Sequence, residues 1–230
     1  MIPSPRSSHL IVQNLRACCA VAMLALSLLL PQTAPAADWS AFSEPLFERL
    51  GREQGLPNDV VGAIAQDRAG FVWFGTGGGL ARFDGHRFRH YTSDPGNPDS
   101  LPDTYVTALH VDPKGVLWVG TNAGGLARYE AAADRFVRAN EGLQNLSILS
   151  ILTDAQGRLW TGTVGGVHVR DPATGTGRFY TRRGPEPDSP PLDQIRDMVE
   201  LPDGGLLLAS GRGLVRFDPS GDLATPVSLG

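Results

Sequence analysis

The 230-residue chain carries 28 Gly and 18 Pro, is 41% hydrophobic and 7% aromatic, and has a formal net charge of −4. Glycine and proline at that level, with no collagen period and no long polar tract, exclude a fibrous, wholly disordered or coiled-coil chain. The acidic balance argues against a nucleic-acid partner, because phosphate binding needs a basic surface.

Residues 1–36 read as a secretory signal peptide. Arg6 and Arg16 supply the positive start, and Ala17–Leu30 is a run of 14 apolar or small residues. Ala34-Pro-Ala36 then offers a small-x-small site, so cleavage is expected between Ala36 and Ala37. A membrane anchor would need roughly 18 to 20 apolar residues, more than this run provides. Cys18 and Cys19 both lie in the segment to be removed, which leaves the mature chain without disulfide or thiol chemistry. It also leaves 18 basic against 24 acidic residues. An exported, acidic protein is expected, in the periplasm if the source is Gram-negative.

After a lead-in at 37–46, one pattern governs the chain. Asp67-Arg-Ala-Gly-Phe-Val-Trp-Phe-Gly-Thr76 recurs at Asp112–Thr121 and again at Asp154–Thr163, with a worn fourth copy at Leu201–Ser210. Trp73, Trp118, Trp160 and Leu207 are therefore 45, 42 and 47 residues apart. A second apolar stretch follows each: Gly79–Asp84, Gly125–Glu130, Gly166–Asp171 and Gly213–Asp218. Within the second copy four short strands are expected, at Val106–Val111, Val116–Thr121, Gly125–Glu130 and Phe136–Arg138, separated by turn residues. Four strands per 40 to 50 residues, with Trp and Gly at fixed offsets, is the signature of propeller blades. The expected fold is all-β, with four four-stranded antiparallel blades at about 58–92, 104–139, 146–182 and 193–230. An additional outer strand at Phe47–Leu50 has no convincing partner near the C-terminus, so an incomplete or open propeller is preferred to a closed four-bladed disc.

Asp-x-x-Gly-x-x-Trp-x-Gly-Thr followed by Gly-Leu-x-x-Phe-Asp resembles the two-component regulator propeller repeat, from about Phe47 to Asp218. The segments Gly55-Leu-Pro-Asn-Asp59 and Asp94–Leu101 are similar to that family's inter-blade connections. The resemblance implies the N-terminal periplasmic sensor of a membrane-bound histidine kinase, hybrid regulator or diguanylate cyclase, with the output domain absent from this chain. It also implies further blades, or a second chain, to close the ring.

Trp73, Trp118 and Trp160 could stack on sugars, but packing between blades is the preferred role, since Leu207 preserves bulk without a stacking face. Gly75, Gly120 and Gly162 suit positions of close backbone or ring approach. Asp67, Asp112 and Asp154 head Asp-x-x-Gly turns and are expected to cap them. The acidic connection Asp94–Asp103 lacks the Gly and Glu of a calcium loop and reads as solvated. His86 and His90 flank a strand rather than sharing a helix face, and His110 and His168 stand singly in strands. No catalytic, cofactor or metal residue is nominated, and ligand-binding residues are not identified individually.

Alternating strand direction places the outer-to-inner connections and the middle-strand turns on one face. Thr92–Thr104, Ala139–Leu146, Arg182–Asp193 and the turns at Gly77, Asn122, Val164 and Gly211 should meet there, and rigidly held loops are where recognition concentrates. The leading expectation is a sensory propeller detecting an extracytoplasmic ligand such as a glycan. A streptogramin-lyase-like propeller enzyme and a structural module pairing through open strand edges are the alternatives.

Overall fold

A computed structural model describes residues 49–172, 174–181 and 192–227. The proposed cleavage site at Ala36 and Ala37 lies outside them, as do Phe47 and Glu48. Arg49 and Leu50 belong to no strand.

Sixteen strands make up the fold among the described residues, with a single 3-10 turn at Arg52–Gln54. The first sheet holds β1 (Val61–Gln66), β2 (Val72–Thr76), β3 (Gly79–Phe83) and β4 (Phe88–Tyr91). The second holds β5 (Val106–Val111), β6 (Leu117–Thr121), β7 (Leu126–Glu130) and β8 (Arg135–Arg138). The third runs β9 (Ile148–Thr153), β10 (Leu159–Thr163), β11 (Val167–Arg170) and β12 (Gly177–Tyr180). The fourth comprises β13 (Asp197–Glu200), β14 (Leu206–Ser210), β15 (Gly213–Asp218) and β16 (Leu223–Pro226). Every sheet is an antiparallel meander in chain order. The innermost strands β1, β5, β9 and β13 neighbour one another in succession.

This is the all-β incomplete propeller expected from the repeat. Each blade is apolar on both faces because it is sandwiched between neighbours, and the core lies in the joints between sheets. Trp73, Leu80 and Tyr91 of the first sheet meet Leu117, Val119, Tyr129 and Phe136 of the second. Trp160 and Val167 of the third meet Leu206, Leu208 and Phe217 of the fourth. The joint between the second and third sheets is built from a smaller cluster around Leu126, Ala139 and Leu159. At the two ends Ile64 of β1 is 62% exposed and Val199 of β13 is 53% exposed, because no further blade covers them among the described residues.

One feature of the register is invisible in the repeat. The pairing of β1 with β2, β5 with β6 and β9 with β10 slips by one residue at the same place, beside Gly62, Thr107 and the Gly162–Thr163 step. Such bulges strengthen the local twist of a sheet. Thr107 uses its bulge to donate its hydroxyl across the joint to the carbonyl of Ile148 at 2.6 Å.

Candidate functional site

The Asp-x-x-Gly turns fix the tryptophans. Asp67 Oδ1 accepts the amides of Ala69 and Phe71 at 2.9 and 3.0 Å, while Oδ2 accepts the Trp73 indole N–H at 2.7 Å. Asp112 holds Lys114, Val116 and Trp118 in the same way, and Asp154 holds Gln156, Arg158 and Trp160. One carboxylate therefore caps a turn and orients an indole, a pairing that spacing alone could have suggested because Asp and Trp stand six residues apart each time. Trp73 and Trp160 are completely buried, whereas Trp118 is only partly so. Gly75, Gly120 and Gly162 each face the next blade. A Cβ at Gly75 would lie 2.7 Å from Val106, one at Gly120 would lie 2.5 Å from Ile148, and one at Gly162 would lie 2.6 Å from the carbonyl of Ile195.

The middle-strand turns and the inter-blade connections do share a face. Asn122 donates its amide to the Tyr105 carbonyl, Val164 to Ser147, Gln194 to Val164 and Gly211 to Asp193, at 2.9 to 3.1 Å. Asp103 Oδ2 accepts the amide of Ala123 at 2.9 Å. These bonds stiffen the loops, and on this rigid rim stand four exposed apolar side chains. Val60 is 72% exposed, Tyr105 51%, and Leu146 and Val164 41% each. Val60, Tyr105 and Ser147 stand at one repeat position, immediately before β1, β5 and β9. The connection at 182–191 lies outside the described residues.

The acidic connection is only partly solvated, which corrects the sequence expectation. Asp94, Asn97 and Asp99 are exposed, but Leu101 is fully buried in the first joint. The carbonyl of Asp99 accepts the Phe136 amide at 2.9 Å, and that of Pro98 accepts Arg138 Nη1 at 3.0 Å. Its composition hid an anchor: Leu56, Leu101 and Leu192 are buried in corresponding connections.

The histidines are dispersed. His86 and His90 are exposed, with His90 Nε2 against the carbonyl of Gly55. His110 Nε2 meets Thr153 Oγ1 at 2.9 Å, and burial lowers its pKa. His168 is buried, and neither ring nitrogen has a hydrogen-bond partner among the described residues. No group of three His, Cys, Asp or Glu side chains is placed to hold a metal among the described residues.

Comparison with known proteins agrees with this architecture. The two component regulator propeller family matches residues 55–78, 100–123 and 142–165. No curated protein matches the chain in sequence. Among solved structures, the chain is similar to the extracellular domain assigned to the hybrid two component system BT3049 from B. thetaiotaomicron, with 28% identity and a TM-score of 0.71 over 79% of this chain and 26% of that one. The corresponding domain of BT4673 from the same organism gives 20% identity and a TM-score of 0.61, covering 73% and 25%. Virginiamycin B lyase from Staphylococcus aureus gives 18% identity and a TM-score of 0.55, covering 76% and 57%. The last two, at such identities, share the fold alone. The chain spans about a quarter of the length of the two-component domains it matches. The three matched segments open the first three blades, and in them the chain resembles two-component regulator propeller repeats.

Proposed function

We propose that these blades are the sensory, ligand-binding part of an exported signal-transduction protein, and that the ligand is met on the loop face. The observation that carries this reading is the set of exposed Val60, Tyr105, Leu146 and Val164 side chains on a hydrogen-bonded rim. A rigid rim with an exposed aromatic suits a sugar ring, because Tyr offers a flat apolar face and a hydroxyl at little entropic cost. Glycans are accordingly the ligand class proposed. The extracellular assignment of the BT3049 domain supports export, and the predicted cleavage supports it independently: N-terminal sequencing of the secreted chain should begin at Ala37. Recognition would be passed to a kinase or cyclase output, as the repeat resemblance implies, and the open faces at Ile64 and Val199 are those that further blades would cover.

The test is titration of the full chain with a panel of neutral and acidic oligosaccharides, repeated with Tyr105→Ala. A saturable response lost in that variant, with an unchanged melting temperature, supports the reading. A panel without any response, or a response indifferent to Tyr105 and to Leu146→Ser, refutes it.

A further inference from the structure

Trp73, Trp118 and Trp160 hold one repeat position, yet their surroundings differ. In the first joint Tyr91 stacks on Trp73 with centroids 5.7 Å apart, and Tyr129 meets it edge-on at 4.9 Å. Phe71 and Phe136 complete that core. Strand register and turn spacing identify the counterparts around Trp118: Val116 for Phe71, Ala139 for Tyr91, Arg170 for Tyr129 and Gly177 for Phe136. Every ring that closes the first joint is replaced in the second. The third joint restores two, with Tyr180 stacked at 6.5 Å and Phe217 edge-on at 5.8 Å to Trp160.

What remains between the second and third blades is a cleft of about 550 Å³ walled by Trp118. Its indole N–H is tied to Asp112 at 3.0 Å, which fixes the ring's orientation. Lys114, Arg128 and Arg170 bring three cations to the cleft, beside the carboxylates of Asp112 and Glu141. Asp112 is already engaged by two amides and the indole, and Arg170 and Arg128 pair with Glu141 and Glu130 at 2.9 and 2.7 Å. Arg138 stands on the face of β8 that Phe136 turns to the first joint and gives its Nη1 to the Pro98 carbonyl, whereas Lys114 forms no ion pair among the described residues. The cleft runs along the joint from the turns at Asp112–Lys114, Gly157 and Pro172, opposite the loop face, to Ala139 and Glu141 in a connection of the loop face.

We infer that this cleft binds a ring-bearing carboxylate, with a ring face against Trp118 and the carboxylate on the Lys114 ammonium. Stacking on indole selects a ring, and a charge-assisted hydrogen bond to an ammonium selects an anion. A recess of a few hundred cubic ångströms, on the order of 300 to 1,000, accommodates a small molecule. Aromatic acids and uronic-acid sugars share this chemistry. None of Val60, Tyr105, Leu146 and Val164 lines this cleft, so the inference stands or falls independently of the glycan recognition proposed on the rim.

Calorimetry on the full chain with indole-3-acetate and with a glucuronate-terminated disaccharide tests the inference and separates the two sources. The neutral controls are indole-3-acetamide and the glucose-terminated disaccharide. One acid or both should bind saturably, and its neutral counterpart should bind about tenfold or more weakly. Ala139→Tyr installs the ring that Tyr91 and Tyr180 supply in the flanking joints, and should abolish binding without lowering the melting temperature. Should that variant fold poorly, Trp118→Leu uses the residue type that Leu207 places in the fourth blade, and should weaken binding about tenfold. Absence of saturable binding by either acid, equal binding of the neutral counterpart, or unchanged binding in a folded Ala139→Tyr or Trp118→Leu protein would overturn the inference.

Discussion

Trp160 donates its indole N–H to Asp154 Oδ2 at 2.7 Å, and both side chains are buried. The same carboxylate accepts the amides of Gln156 and Arg158 and pairs with the Arg158 guanidinium at 2.6 Å. The fourth blade shows that the two residues form one unit, because Leu201 and Leu207 replace both together. An indole without its acceptor would be a buried unsatisfied donor, and a carboxylate without the indole would lose one of its bonds.

Asp154→Ala should therefore destabilise the chain by about 3 kcal/mol, combining a lost turn cap with an unpaired buried donor. Asp154→Asn retains an acceptor and should lose less. Urea denaturation measures both, and a loss under about 1 kcal/mol for the alanine variant would show that the pair is dispensable.

Gly162 has a different reason for lacking a side chain. A Cβ there would approach Ser150 Oγ of its own blade to 2.3 Å and the Ile195 carbonyl to 2.6 Å, and the second contact requires the third and fourth blades to separate. Ala209 holds the same position in the fourth blade, where no further blade faces it among the described residues. Gly162→Ala should cost about 1 to 3 kcal/mol as an overpacked joint. The reverse change, Ala209→Gly, should cost less than about 1 kcal/mol. Equal effects in urea melts would mean that the joint does not discriminate.

Asp134 ties the first two blades together at their rim. Its Oδ1 accepts the hydroxyls of Tyr129 at 2.5 Å and Tyr91 at 2.9 Å, and Arg89 pairs with its Oδ2. Burial pushes its pKa up, but the two hydroxyls and Arg89 outweigh that and hold it below the ordinary carboxylate value. A depressed value means that the native state favours the ion. Its stabilisation is complete above the ordinary value of 3.8 and disappears as the pH falls through the lowered one. Asp134→Ala should cost about 1 to 3 kcal/mol at neutral pH and make the acid limb of stability shallower below about pH 4. Wild-type acid sensitivity in the alanine variant would assign that limb to other carboxylates.

The blades were legible because their signals are local. Trp and Gly offsets, turn residues and alternating apolar positions all lie within about ten residues of one another. The joints were not, because Trp73 meets Tyr129 and Phe136 in another blade, and only strand register reveals which residues face which ring. A sequence reader sees Trp118 as a second copy of Trp73. The residues that open its joint, Ala139, Arg170 and Gly177, are ordinary in their own strands. Leu101 was missed for the opposite reason, since aspartate, asparagine, proline and serine around it read as solvated while one leucine goes into the core.

His168 gives the second joint a pH dependence that the others lack. Its ring lies 6.4 Å from that of Phe179, its exposure is 1%, and both nitrogens are without a hydrogen-bond partner among the described residues. Burial lowers its pKa below the ordinary 6.5, and the neighbouring Arg170 adds to the effect. The folded state therefore binds the proton less readily than the unfolded chain. Stability is full above the ordinary value and declines as the pH falls below it, levelling only beneath the lowered pKa. His110 is lowered by burial, against the opposing charge of Asp112, and contributes with the same sign. Melting temperatures should thus fall between about pH 7.5 and 5.5, a range where His is the side chain that ordinarily changes charge. His168→Leu should flatten that fall while leaving a smaller slope from His110. An unchanged slope in His168→Leu would show that the buried imidazole is not the group being protonated.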